Sequence, residues 1–141
     1  MNKLLIVGIT TALGGFACAA LAQTHSAKDE INTAHAHAMM AQSATSVAMA
    51  HTHLHHVINC LVGPKGSGFD AAAGTPCKGQ GNGAIPDAAS DHALHAKLES
   101  ALSDAQAGLK SESLAAVQQD AGKAAAGLQD GSTAKASSSS W

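Results

Sequence analysis

The chain contains no Arg and no Tyr, and its aromatic residues are two Phe and one Trp. A β-sandwich draws its core from Val, Ile, Thr and aromatic side chains, so this scarcity argues against one. Without Arg, and without any basic run, there is no electrostatic footprint for nucleic acid. His-Glu-x-x-His, Gly-x-Ser-x-Gly and a phosphate-binding loop are also missing. Gly79, Gly81 and Gly83 alternate, but no strand precedes them and no Lys-Ser/Thr follows, so they read as flexible loop. No catalytic residue stands out, and the chain is expected not to be an enzyme. Cys-x-x-Cys-His is absent, which excludes covalently attached c-type haem.

One long apolar run is present, and it lies at the start. Lys3 gives a positive opening, residues 4–20 are apolar, and Ala20-Leu21-Ala22 forms a small-x-small cleavage site. That is the anatomy of a secretory signal, so residues 1–22 are expected to be removed. An uncleaved anchor is the competing reading. The run is near the minimum length for a span, but it is rich in Gly, Thr and Ala and ends in a peptidase site. Cys18 lacks the context of a lipid-modified cysteine. No later segment is apolar enough for stable membrane insertion. Removing Lys3 with the leader makes the remaining chain slightly more acidic than the formal −2 of the whole. The expected location is periplasmic or secreted.

Cys60 and Cys77 remain after cleavage, and in an oxidising compartment two such thiols default to a disulfide. The bond would be worth roughly 3 kcal/mol in the chain-entropy model. The alternative is that they are thiolate ligands, since His56 and Cys60 have ligand spacing on a helix.

What the chain has in abundance is Ala, which loses no side-chain entropy in a helix. Ser26 is positioned to cap a first helix with Asp29 and Glu30 in its first turn, where carboxylates suit the helix dipole. Residues 27–61 contain no Pro and no Gly, which permits one long helix or two helices broken near residues 43–46. Met40, Val47, Leu54 and Leu61 fall on one stripe flanked by Val57 and Ile58, the signature of a packing seam. Residues 62–86 hold all three Pro and seven Gly, and read as a long loop that the cysteine bridge would clasp. Asp87 is expected to cap the next helix, with Leu94, Leu98, Leu102, Ala105 and Leu109 inward. A turn at 108–111 leads to a further helix capped by Ser111 or Ser113. Its inward positions are Leu114, Val117, Ala121, Ala124, Ala125 and Leu128. The expected fold is all-α: a small three- or four-helix bundle over residues 23–129, with a disulfide-clasped Gly/Pro loop. Residues 130–141 are Ser-rich and too polar to pack, so a disordered tail is expected.

The nine His are the chemical signal. On an unbroken first helix, His35, Met39, Met49, His53, His56 and Cys60 fall within about 100° of arc, and His37, His51 and His55 within about 40° of another direction. Neighbours at i+3 and i+4, such as Met49 with His53 or His51 with His55, can share one ion. Imidazole suits copper, nickel and zinc, and thioether sulfur selects Cu(I). His92 and His95 form another such pair. An antiparallel hairpin would place them near the His-rich end of the first helix. The expected site is therefore His51, His53, His55 and His56 with His92 and His95, aided by Met49. A weaker site would use His35, His37 and Met39. Cleavage after Ala22 would also leave Gln23-Thr24-His25. Its terminal amine, two amides and imidazole make a square plane suited to Cu(II) or Ni(II). Cyclisation of Gln23 would block that motif.

The run His92-Ala-Leu-His95-Ala-Lys-Leu-Glu-Ser-Ala-Leu, followed by Leu114-Ala-Ala-Val-Gln-Gln-Asp-Ala-Gly-Lys-Ala-Ala, resembles the helical hairpin of histidine-rich small periplasmic metal-binding proteins. The resemblance spans residues 88–129. It implies a helical bundle that binds copper and other divalent ions through surface His, and only His92 and His95 carry over. This chain departs from the pattern in having no His after His95 and in carrying a Cys-bearing Gly/Pro loop. The expected function is periplasmic binding of a transition metal, copper first, in buffering, carriage or resistance. The alternatives are an envelope interaction module whose Gly/Pro loop contacts a partner protein, and a bundle holding non-covalent haem through axial His or Met.

Overall fold

The computed structural model describes residues 27–133, with side chains described as far as Gln129. The expected leader, His25 with its expected N-terminal motif, and the expected tail beyond residue 133 lie outside the described residues. Every regular element among those described is helical. Four long helices are α1 (Ala27–Gln42), α2 (Val47–Val62), α4 (His92–Lys110) and α5 (Leu114–Thr133). Between α2 and α4 lie a 3-10 turn (Ala71–Ala73) and the short α3 (Ala84–Asp87).

The first helical stretch breaks at residues 43–46. Ser, Thr and Ser there compete with the helix by bonding nearby backbone. Ser43 Oγ turns back to the Met39 carbonyl at 2.9 Å, ending α1. Ser46 adopts an extended backbone and its Oγ accepts the Met49 N–H at 3.2 Å, starting α2. Gln118 on α5 donates to the Ala44 carbonyl at 2.9 Å and holds the corner down. Because the break resets the helical phase, the expected seven-residue stripe does not cross it. Met40 is exposed, while Leu54, Val57, Ile58 and Leu61 on α2 are buried as the seam requires.

Two later boundaries also differ from expectation. Asp87 closes the short α3, and Asp91 caps α4, its carboxylate accepting the Leu94 N–H at 3.0 Å. The segment 108–111 is no turn: α4 runs through Lys110, and Ser113 caps α5 by accepting the Ala116 N–H at 3.2 Å. α5 continues to Thr133, past the expected start of the tail.

α1 packs on α2 and α5, α2 on α4, and α4 on α5, so the four long helices close a ring around one core. The core is small-residue: Ala34, Ala38, Ala41, Ala50, Ala101, Ala105, Ala121 and Ala124 are buried among Ile31, Leu54, Leu61, Leu98, Val117 and Leu128. Small side chains at the contacts let helices approach closely, which compensates for the missing aromatics. Gly108 is part of this fit, since a Cβ there would come within 2.6 Å of Leu54 Cδ1.

The Cys60–Cys77 disulfide ties the connection after α2 back onto that helix. The two ends of the connection meet backbone to backbone at Gly63 and Gly83. Gly63 has φ +69°, and a Cβ on it would overlap the Asn82 carbonyl. Leu54→Ala is expected to cost about 2–5 kcal/mol in urea unfolding, as for a fully buried Leu. Ser46→Ala should cost only about 1 kcal/mol, the loss of one helix cap.

Candidate metal centre

His37 stands on α1, and His53 and His56 stand on α2. Residues three apart on a helix are neighbours, so His53 and His56 share a face. The chain reversal at residues 43–46 brings His37 to them from the antiparallel helix. His37 Nδ1 lies 3.2 Å from His53 Nδ1. The His37 ring centroid is 4.6 Å from that of His56, and the His53 and His56 centroids are 6.0 Å apart. One ligand nitrogen from each ring fits within a set whose members lie no more than 4.8 Å apart. Two nitrogens on one tetrahedral ion at zinc-type bond lengths sit about 3.3–3.4 Å apart. The His37 and His53 pair is already at that spacing. The widest pair needs side-chain movement of only about 1.5 Å.

His56 is the most closely defined ring. Its Nε2 lies 2.7 Å from the Ala73 carbonyl oxygen. A carbonyl only accepts, so Nε2 carries the hydrogen and Nδ1 presents a bare lone pair. That Nδ1 is buried and has no hydrogen-bond partner. An unpaired buried acceptor costs roughly 1–3 kcal/mol, which an ion at Nδ1 would remove. A backbone carbonyl behind the distal N–H is also the usual support of a metal-bound imidazole.

Asn59, one turn further along α2 and buried, anchors the segment that carries that carbonyl, on either side of it. Its Nδ2 donates to the Asp70 and Gly74 carbonyls at 2.7 Å each, and its Oδ1 accepts the Asp70 N–H at 2.8 Å. Gly74 has φ +100°, and a Cβ there would press to 3.3 Å from His56 Nε2. Asn59, Ala73 and Gly74 were not among the residues expected from sequence. The available signal was an amide, Asn59, lodged in the apolar run Val57-Ile58-Asn59-Cys60-Leu61.

Among the described residues, no carboxylate belongs to the cluster. Burial pushes the His37 imidazole down to about 4, helped by the nearby His56 and His53 rings. Burial and then His56 lower His53 in the same direction. Both rings therefore favour the neutral form, the form that binds metal.

The remaining expected ligands are distributed elsewhere. His51 donates through Nε2 to the Ser111 carbonyl at 3.0 Å, tying α2 to the end of α4. His55 faces Asp70, with 3.6 Å between Nδ1 and Oδ2, as a solvent-accessible pair worth little energetically. His35 is half-buried on α1 outside the cluster, and Met39 and Met49 are exposed. Leu54 sits against Gly108 and His51 against Ser111, so the N-terminal half of α2 lies beside the C-terminal end of α4. His92 and His95 open α4, about 24 Å and 20 Å along the helix from Gly108 at 1.5 Å per residue. The antiparallel placement is as expected, but the first turn of α4 lies well past the His-rich stretch of α2, and neither His92 nor His95 belongs to the cluster. Cys60 and Cys77 are bonded to each other rather than serving as thiolate ligands.

Comparison of the chain with protein-family models, with curated proteins and with solved structures found no match.

The lowered pKa of His37 makes a pH prediction for the metal-free protein. Between about 4 and the ordinary 6.5, the unfolded chain binds a proton at His37 that the folded chain does not. The neutral ring's contribution is complete above about pH 6.5 and lost as pH falls toward 4. Wild type should lose stability across that window, and His37→Gln should lose less of it. Proton NMR should place the His37 midpoint near 4; a midpoint near 6.5 would contradict the half-buried, clustered ring.

Proposed function

We propose that this protein holds one transition-metal ion between α1 and α2, with His37, His53 and His56 as ligands. The observation that carries the reading is the buried, partnerless Nδ1 of His56, whose Nε2–H is committed to Ala73 while two further imidazoles converge beside it. Three neutral nitrogens suit copper and zinc and are poor ligands for calcium or magnesium, which prefer oxygen.

Copper is the assignment we favour. The ligands contribute no negative charge, so the ion's own charge must be carried by a half-buried site. Born cost scales as the square of the charge, so Cu(I) costs on the order of a quarter of what a divalent ion does. Exposed thioethers lie one turn away on each helix, Met40 after His37 and Met49 before His53, and soft sulfur favours Cu(I) on its approach. Three ligands leave a coordination position open, which suits an ion that is taken up and handed on rather than locked in. A disulfide is at home in an oxidising compartment, which supports buffering or carriage outside the cytoplasm.

Anaerobic competition titrations with Cu(I) and Zn(II), and direct titrations with Cu(II) and Ni(II), test this. One equivalent should bind with micromolar affinity or better, tightest for copper. His37→Ala, His53→Ala and His56→Ala should each weaken it at least tenfold, and His92→Ala with His95→Ala should leave it unchanged. Asn59→Ala, which releases the carbonyl behind His56, should cost about 10–100-fold, as loss of an outer-shell partner does. Full affinity in the three triad variants would sink the assignment, and a preference for zinc would keep the site but displace copper.

A further inference from the structure

A second feature lies at the other end of the α1 and α2 pair, beside the disulfide. A cavity of about 360 Å³ opens there, within the usual range for small-molecule sites. Pro64, Phe69 and Cys77 supply apolar wall, Asn59 and Lys78 line it too, and Glu30 supplies a carboxyl. Glu30 is only 1% exposed. Its Oε1 accepts the Gly83 N–H at 2.7 Å, but its Oε2 is buried with no hydrogen-bond partner. The Gly83 N–H and a hydrogen bond shared with Asp87 account for part of this carboxyl, and Oε2 has no N–H donor. An apolar residue would fill this first-turn position of α1 without the cost of burying a carboxyl.

The charges around Glu30 define what would fit. Its charged neighbours, Asp87 on α3 and Asp29 on α1, are both acidic. Asp87 accepts the backbone N–H and Nδ2–H of Asn82 at 3.0 and 3.2 Å and shares a further hydrogen bond with the Glu30 carboxyl. Gly81 separates the two acids so closely that a Cβ on it would stand 2.7 Å from Glu30 Oε1 and collide with Asp87 Oδ2. Lys78 lines the cavity but is exposed, so its ammonium can remain in water.

We infer that this cavity binds a small organic cation, an amine whose ammonium donates to Glu30 Oε2 while its apolar body rests on Phe69, Pro64 and the disulfide. The ammonium satisfies the orphaned oxygen and balances the paired acids. The hydrocarbon covers the apolar wall. Burial, with the acidic neighbours, raises the empty-site Glu30 to about 7, so an ammonium has a carboxyl poised to ionise on its arrival. The site uses none of the three imidazoles and does not depend on metal.

The full chain, disulfide intact and stripped of metal with chelator, is titrated at pH 7.5 with benzylamine, benzyl alcohol, benzoate and calcium. Amide NMR shifts are followed at Gly63, Gly81 and Gly83. Benzylamine should saturate these amides and bind at least tenfold more tightly than the alcohol or the acid. Glu30→Gln retains an oxygen for the Gly83 N–H and removes a carboxyl that is unfavourable when ionised. It should unfold at an equal or higher urea concentration than wild type and lose at least tenfold in benzylamine affinity. Equal binding of amine and alcohol would overturn the inference, as would shifts confined to the His37, His53 and His56 region. Calcium saturating the same amides while benzylamine does not would also overturn it. If Glu30→Gln proves unstable, Phe69→Ala serves as the second variant: it should weaken benzylamine at least threefold, and unchanged affinity counts against the site. His56→Ala should leave benzylamine binding intact, which separates failure of this site from failure of the metal centre.

Discussion

The reversal at residues 43–46 is the constraint on which the other features depend. Two short polar side chains bring it about: Ser43 closes one helix, and Ser46 opens the next. Without the interruption, residues 27–62 would form a single rod, and His37 would point away from His53 and His56. With it, α1 folds back along α2, and the one imidazole of α1, His37, meets two of α2, His53 and His56. The same reversal lets α1 and α2 present a common apolar surface to α4 and α5. An Ala-rich core can fill that surface because the helices approach closely enough to leave no space for larger groups.

The long connection between α2 and α4 depends on α2 in turn. The 29 residues between α2 and α4, rich in Gly and Pro, form only a 3-10 turn and the short α3, and their conformation is imposed by two anchors one residue apart. Asn59 gathers three backbone groups of residues 70–74, and Cys60 bonds covalently to Cys77. The first anchor decides where the Ala73 carbonyl lies, and therefore which nitrogen of His56 is left bare. The second, with Glu30 reaching to Gly83, shapes the wall of the cavity beyond. One loop thus serves two places of different chemistry: a neutral nitrogen cluster on one side, and an acidic, apolar-walled cleft on the other.

The two places also respond to protons in opposite directions, for one reason. Burial disfavours whichever form is charged, so it lowers His37 and raises Glu30. Near neutral pH the imidazole is uncharged and ready for an ion, while the carboxyl is close to its midpoint. Neither group has a compensating charge among the neighbours that shift it. The histidine cluster contains no carboxylate and Glu30 has only acidic charged neighbours, so in each assignment the bound species is a cation, held by neutral nitrogens in one place and by a carboxyl in the other.

The helical class, the apolar faces of α2, α4 and α5, and the pairing of the two cysteines were legible from residue type and period, because they depend on local propensity and on one-dimensional spacing. So was the richness of the first stretch in His. Which His belong together was not. On an unbroken helix His37 groups with His51 and His55, and only the turn at residues 43–46 regroups it with His53 and His56. His92 and His95 follow the same logic: antiparallel order is readable from sequence, but the axial offset between α2 and α4, set by Leu54 against Gly108, places them at the far end. Glu30 looked like an ordinary first-turn acid until the returning loop covered it. The sequence by itself determined which chemical groups this protein possesses and on which elements they ride. Tertiary structure decided which of them meet, because convergence depends on how separate helices pack, and no periodicity within a single segment encodes that.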